Sequence, residues 1–256
     1  MIAYRDEGKG KPLILLHAYP LSSRMWEAEI QWLSEKARVI APDLPGFGKS
    51  TQIPITSIAA MAEEVAALLD HLKISKPVFL AGISMGGYVA FEFLRQFPKR
   101  VGGLGLFDTR ATADTPEARE KRMQAIEMIE KHGLEAYARK AVKTLLGQTT
   151  QETNPSFVQQ IIGMMMENTA QAAAGAMRAL AGRRDNSNLL SSVSVPVILA
   201  VGEEDVLTPS AEMRAMHEQI RGSEFHIIAK SGHLTNLEKP AELRNVFEKF
   251  LREKFL

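Results

Sequence analysis

The segment Pro77-Val78-Phe79-Leu80-Ala81-Gly82-Ile83-Ser84-Met85-Gly86-Gly87 constrains this chain more than any other. A short apolar run with the character of a buried strand leads directly into G-x-S-x-G, and a helical pattern follows directly. A turn that joins strand to helix with nothing between must be sharp, and its tip residue is strained. Neighbours with side chains would clash there, and glycine at 82 and 86 removes those clashes. Ser84 is then lifted to the tip. The N–H of Met85, at a helix N-terminus, points toward any oxyanion forming above it.

The rest of the chain repeats the rhythm of that segment. Short apolar runs alternate with longer amphipathic stretches, which predicts βαβ units and a mostly parallel, twisted sheet flanked by helices. Strands are expected at 13–16, 39–41, 78–81, 104–107, 197–201 and 225–228, with an antiparallel edge strand at 2–4. Helices are expected at 25–34, 57–72, 85–97, 211–220 and 242–254. Pro98 ends the helix after Ser84, and Pro240 opens the last one. One stretch breaks the pattern. Residues 111–190 hold no strand-like run and carry six of the twelve methionines: Met123, Met128, Met164, Met165, Met166 and Met177. The expected organisation is an α/β core over 1–110 and 191–256, with a helical cap inserted at 111–190. Any given methionine there is core filler before it is a pocket wall.

Composition excludes several function classes. With 31 basic and 30 acidic residues in 256, the net charge of +1 speaks against a protein held on nucleic acid by counterion release. The chain has no cysteine, which excludes disulfides, iron–sulfur clusters, thiolate zinc sites and a thiol nucleophile. The uncharged run 77–91 is broken by three glycines and falls short of the ~20 apolar residues that cross a bilayer. No targeting segment is visible, so a cytoplasmic protein without membrane contact is expected. No histidine pair stands at metal-ligand spacing. Gly48-Lys49-Ser50 ends like a phosphate-binding loop, but Asp43 occupies the position where that loop requires glycine. Neither metal nor cofactor is expected.

A serine hydroxyl becomes a nucleophile only when a base takes its proton, and a third group must hold that base in the right tautomer. Of six histidines, His71, His132 and His217 fall in or at the ends of helical patterns, and His226 lies within a strand. His233 is different, because it follows the last strand at the carboxyl end where open α/β sheets bind ligands. For the acid, strand 197–201 ends in Gly202-Glu203-Glu204-Asp205, and Asp205 lies in the loop beyond it. Glu203 and Glu204 read as solvated loop charges. Asp108, which also ends a strand, is the rival.

The order Ser84, Asp205, His233 and the motifs around it resemble the α/β-hydrolase superfamily over essentially the whole chain. The likeness is to its capped carboxylesterase, enol-lactonase and perhydrolase branch. His17-Ala18-Tyr19-Pro20 is similar to the family's H-G-x-P oxyanion loop, with Ala18 where glycine is usual. Asp43-Leu44-Pro45-Gly46-Phe47-Gly48-Lys49-Ser50 resembles its D-x-x-G-x-G-x-S turn, and Glu238-Lys239-Pro240 its closing E-x-P. The resemblance implies Tyr19 and Met85 as backbone oxyanion donors and a bracing role for His17.

The implied activity is hydrolysis of small to medium carboxylic esters, a small-molecule substrate class, through an acyl-enzyme on Ser84. Lactone hydrolysis of the 3-oxoadipate enol-lactone kind and peracid formation use the same triad. A ligand-binding receptor on a hydrolase scaffold is the reading from another class. Dehalogenases and epoxide hydrolases of the superfamily need a carboxylate where Ser84 stands. Near-zero net charge fits neutral esters that need no electrostatic steering.

Overall fold

The computed structural model describes residues 1–256. Seven strands form one sheet: β1 (Tyr4–Glu7), β2 (Pro12–Leu16), β3 (Arg38–Pro42), β4 (Val78–Ile83), β5 (Val101–Phe107), β6 (Val197–Gly202) and β7 (Glu224–Ile228). Their order across the sheet is β1-β3-β2-β4-β5-β6-β7, and only β1 runs antiparallel to its neighbour. Strands β4 and β6 are buried at every position, as expected for central parallel strands covered on both sides.

The helices are α1 (Glu27–Leu33), α2 (Ile58–His71), α3 (Met85–Gln96), α4 (Pro116–Leu145), α5 (Gln148–Thr153), α6 (Pro155–Met166), α7 (Ala170–Ala181), α8 (Ser210–Gln219), α9 (Thr235–Glu238) and α10 (Pro240–Lys254). Strand parity shows how they cover the sheet. Phe79 of β4 packs against Phe247 and Phe250 of α10, with ring centroids 5.7 and 6.1 Å away. Gly82, three residues on and therefore on the opposite face, backs directly onto the start of α3. Each fully buried phenylalanine of that aromatic cluster contributes about 1.5–3 kcal/mol relative to exposure.

The edge strand lies two residues later than the sequence pattern predicts. Ile2 is buried ahead of it, and the backbone of Ala3 is already engaged, accepting from Asp43 N–H and donating to Ser50 Oγ. Helices α4 to α7, followed by a short 3-10 turn at Ser187–Ser192, lie in the connection between β5 and β6. Within α4, Gly133 is non-helical at φ +81°, ψ 168°, so α4 is two helices joined at a kink and His132 ends the first of them, as the sequence pattern predicts. No helix is long and apolar enough to cross a membrane.

Candidate active site

Ser84 stands between β4 and α3 with φ +53° and ψ −112°, a conformation that costs a non-glycine residue about 1–3 kcal/mol. Its backbone is pinned on both sides. The N–H donates to Phe107 O at 3.0 Å, while its carbonyl accepts from Gly87 N–H and Tyr88 N–H at 2.9 and 3.2 Å. Thr109 Oγ1 donates to the same carbonyl at 2.9 Å. A Cβ on Gly82 would strike the backbone of Gly86, and one on Gly86 would strike the Leu16 carbonyl. Both glycines are therefore fixed by close backbone approach.

His233 and Asp205 meet beyond the ends of β7 and β6. His233 Nδ1 lies 2.8 Å from Asp205 Oδ2, and both side chains are almost fully buried. Asp205 Oδ1 accepts from the N–H groups of Leu207 and Thr208 at 2.7 and 3.0 Å, and Oδ2 also accepts from the Thr208 hydroxyl. Burial alone would raise this carboxyl, but the His233 charge and these hydrogen bonds outweigh it and hold Asp205 down at about 2. An ionised Asp205 keeps the proton on Nδ1 of His233 and leaves Nε2 as the free acceptor. The His233 N–H donates to Leu145 O at 3.0 Å, so the end of α4 helps hold the loop.

Asp108 is close by but committed elsewhere. Its Oδ1 accepts from Gly202 N–H at 2.9 Å, and its Oδ2 from the Thr235 hydroxyl at 2.5 Å. Burial, then the charge of Asp205, push its carboxyl well above the ordinary range.

The loop before α1 carries Tyr19. His17 braces it from below: Nε2 accepts from Leu44 N–H at 2.9 Å and Nδ1 lies 3.0 Å from Ala18 O. Burial lowers His17 to about 4, so it is a neutral ring donating from Nδ1. Ala18 keeps a negative φ and needs no glycine. Asp43 accepts from the N–H groups of Ser23 and Lys49, both at 2.9 Å, which ties this loop to the turn at 43–50. Neither the N–H of Tyr19 nor that of Met85 is engaged by another group of the loops or turns.

Two carboxylates, Glu204 in a loop and Glu238 at the end of α9, prove to be clasps. Glu204 accepts from the backbone N–H of Thr149 at 2.8 Å and from its hydroxyl, so it is no solvated charge. Glu203 is the more exposed and accepts from Lys230 N–H at 3.1 Å. Glu238 accepts from Gly232 N–H at 2.8 Å and Gly147 N–H at 2.9 Å, which gives the E-x-P motif its structural work.

A cavity of about 730 Å³ opens over Ser84 and His233. Its wall includes Tyr19 and Thr208 from the core loops, and Met128 and Tyr137 from α4. Of the six methionines between 111 and 190, only Met128 and Met177 reach it, whereas Met123 and Met166 are exposed. Sequence reasoning missed Thr208, which donates to Asp205, and the paired charges Arg122 and Asp114, which also line the cavity. The pair Thr208-Pro209 reads as a helix lead-in, and charges spaced along a helix read as a solvated face.

The family model described as the alpha/beta hydrolase fold matches residues 11–240. The chain belongs to the α/β-hydrolase family. It is similar to a thermophilic esterase from Thermogutta terrifontis, solved with malate bound, at 37% identity over 98% of this chain and 93% of that one, with a TM-score of 0.94. It is 28% identical to 3-oxoadipate enol-lactonase 1 of Acinetobacter baylyi over 228 residues, 89% of this chain and 84% of that protein. The enol-lactonase from Burkholderia xenovorans LB400, at 21% identity and a TM-score of 0.89 over 98% of this chain and 96% of that one, shares the fold.

Proposed function

We propose that this chain is a serine hydrolase of carboxylic esters with small to medium acyl groups, and that helices α4 to α7 act as a cap over its substrate. The observation that carries the reading is the Asp205–His233 pair opening onto the same cavity as a strained Ser84. Residues 111–190 form the cap, and 1–110 with 191–256 form the core.

His233 Nε2 takes the proton of Ser84 Oγ as that oxygen attacks the ester carbonyl. The N–H groups of Tyr19 and Met85 receive the oxyanion, each donor being worth roughly 10²–10³ in rate. The imidazolium returns its proton to the alkoxy oxygen as the carbon–oxygen bond breaks, and the alcohol leaves. Water, deprotonated by His233, then attacks the acyl carbon, and Ser84 Oγ departs with the proton. Asp205 stabilises the imidazolium in both halves without becoming protonated.

Hydrolysis of enol-lactones is the second reading, favoured by the likeness to the Acinetobacter baylyi protein. It follows the same steps, except that the leaving group is an enol that stays tethered to the acyl chain, takes the proton from His233 and tautomerises to a ketone. p-Nitrophenyl esters of rising chain length, assayed beside an enol-lactone, separate the two. A large preference for the lactone would replace the esterase reading. Labelling with a fluorophosphonate separates both from a ligand-binding receptor: rapid stoichiometric labelling of Ser84 is expected, and an inert serine would sink the enzyme reading.

A further inference from the structure

The charges around the cavity do not cancel. Arg110, Lys121, Arg122 and Lys140 line it against Asp114 and Glu117, four cations facing two carboxylates. Arg110 is engaged by Glu212 at 3.1 Å, and Lys121, Lys140 and Glu117 sit where the side chains are exposed to solvent. The deeper group is different. Asp114, almost fully buried, is shared by two guanidinium groups, those of Arg183 at 2.5 Å and of Arg122. One buried carboxylate thus faces two cations; exposed Asp185 offsets part of the Arg183 charge, and no acid other than Asp114 pairs with Arg122.

The remaining positive charge is available on one of the two arginines. Arg183 is buried, covered by the Tyr88 ring at 4.3 Å, and its outer nitrogens also donate to Leu180 O and Thr112 O at 3.1 and 3.0 Å. Arg122 has no such partners. Beyond Asp114, the nearest acceptor for its Nη1 is the weak thioether of Met177 at 3.6 Å. Burial works against its charge, but Asp114 more than offsets this and Arg122 stays cationic. Beside it lies a buried phenol whose nearest hydroxyl is another phenol: Tyr19 is 7% exposed, its hydroxyl has no partner at ordinary hydrogen-bond distance, and only the Tyr137 hydroxyl approaches it loosely, the two ring centroids being 6.2 Å apart. A buried hydroxyl without a partner carries a penalty that a ligand acceptor would remove.

We infer that the cavity selects esters carrying a second, ionised carboxylate, which the Arg122 guanidinium and the Tyr19 hydroxyl hold while the ester group reaches Ser84. Met128, Met177 and Leu180 on the same wall supply apolar contact for the methylenes between the two groups. The inference rests on Ser84 being the nucleophile. It departs from the expectation of neutral substrates drawn from net charge, since a chain total of +1 says nothing of the four cations and two carboxylates that line the cavity.

The test uses two charged esters. Monomethyl glutarate carries the carboxylate on the acyl side, and 4-acetoxybutanoate carries it on the alcohol side. Their neutral comparators are dimethyl glutarate and butyl acetate. The wild-type enzyme should prefer at least one charged ester by about tenfold or more in kcat/KM, and which one tells the side. In Arg122→Gln that charged-over-neutral ratio should fall roughly 10–100-fold, mainly through KM. Arg122→Lys should recover part of it, and Tyr19→Phe should lower it several-fold. A wild-type enzyme indifferent to the carboxylate, or a preference that survives in both Arg122→Gln and Tyr19→Phe, overturns the proposal. If Arg122→Gln does not fold, Tyr19→Phe, which removes a single oxygen, decides alone. Calorimetric titration of glutarate into Ser84→Ala, and into Ser84→Ala carrying Arg122→Gln, reads binding without turnover. Binding lost only in the double variant supports the site, and equal binding in both sinks it. If Ser84→Ala kept full turnover, the catalytic reading would fail while this titration still judged the carboxylate site.

Discussion

Asp205 Oδ2 lies 2.8 Å from His233 Nδ1, and the second acid that ends a neighbouring strand, Asp108, is bound to Gly202 and Thr235 instead. The two carboxyls differ in environment as well as in partner. Asp205 faces a potential cation and four hydrogen bonds that hold it ionised, while burial beside another negative charge pushes Asp108 toward its neutral form.

Replacing each acid by its amide should separate them. Asp205→Asn should lower kcat by about 10⁴, because an amide no longer holds the imidazole in the tautomer that leaves Nε2 free. Asp108→Asn should keep kcat within about tenfold while costing about 1–3 kcal/mol of stability, since its NH₂ group meets donors at Thr235 or Gly202. Steady-state rates and thermal melts of the two variants check this. A larger rate loss in Asp108→Asn than in Asp205→Asn would reverse the assignment.

Ser84 should trade stability for reactivity. Ser84→Ala should lose essentially all turnover, about 10⁴-fold or more, with the fold intact. Ser84→Gly should be equally inactive, yet more stable than Ser84→Ala by about 1 kcal/mol, because glycine adopts φ +53° without strain. Urea titrations of the three proteins measure the difference. Retention of full esterase activity in Ser84→Ala would remove the serine from the chemistry.

Two buried carboxyls set opposite pH trends. Asp205 is held at about 2, below the unfolded value near ~3.9, so its contribution is complete above about pH 4 and is lost as pH falls toward 2. Glu29 behaves in reverse. Burial raises it to about 8, and its only side-chain partner is Asn236 Nδ2 at 3.4 Å. Folded, it keeps a proton that the unfolded chain releases near pH 4, so stability falls between about pH 4 and 8 with the slope of one proton. Glu29→Gln should flatten that slope in denaturation curves recorded across the range. An unchanged slope would mean that Glu29 is ionised in the fold.

Glu238 should matter to rate as well as to stability. It accepts from Gly232 N–H, next to His233, and from Gly147 N–H, just beyond α4. Glu238→Ala leaves both donors without partners and should cost about 2 kcal/mol or more. The freed loop should also lower kcat at temperatures well below the melting point. Equal kcat in variant and wild type would show that the His233 loop holds itself.

The sheet and the positions of Ser84, Asp205 and His233 at its carboxyl edge are legible in the sequence because each is fixed by a local pattern. Every parallel strand was recognisable as an apolar run, and the turn at Ser84 by glycines that close backbone contacts demand. The antiparallel edge was misplaced by two residues, since Ile2 looks like strand but is buried ahead of it. The roles of Glu204 and Glu238 depend on contacts 55 and 91 residues away, respectively, which no local spacing encodes. Arg122 was hidden for a related reason. Its helix is charged along much of its length, and only tertiary packing turns that one guanidinium inward to Asp114.

Asn168, between α6 and α7, donates to Pro20 O at 2.9 Å and accepts from Gly48 N–H at 3.0 Å. One amide thus sets the position of the helical segment against the Tyr19 loop and the turn that supports it. Substitutions that reshape the helices to admit a new substrate will be transmitted through it to the loop beside Ser84. Adaptation of this scaffold to other esters is therefore expected to move selectivity and turnover together. Lineages that free one from the other should first replace this asparagine.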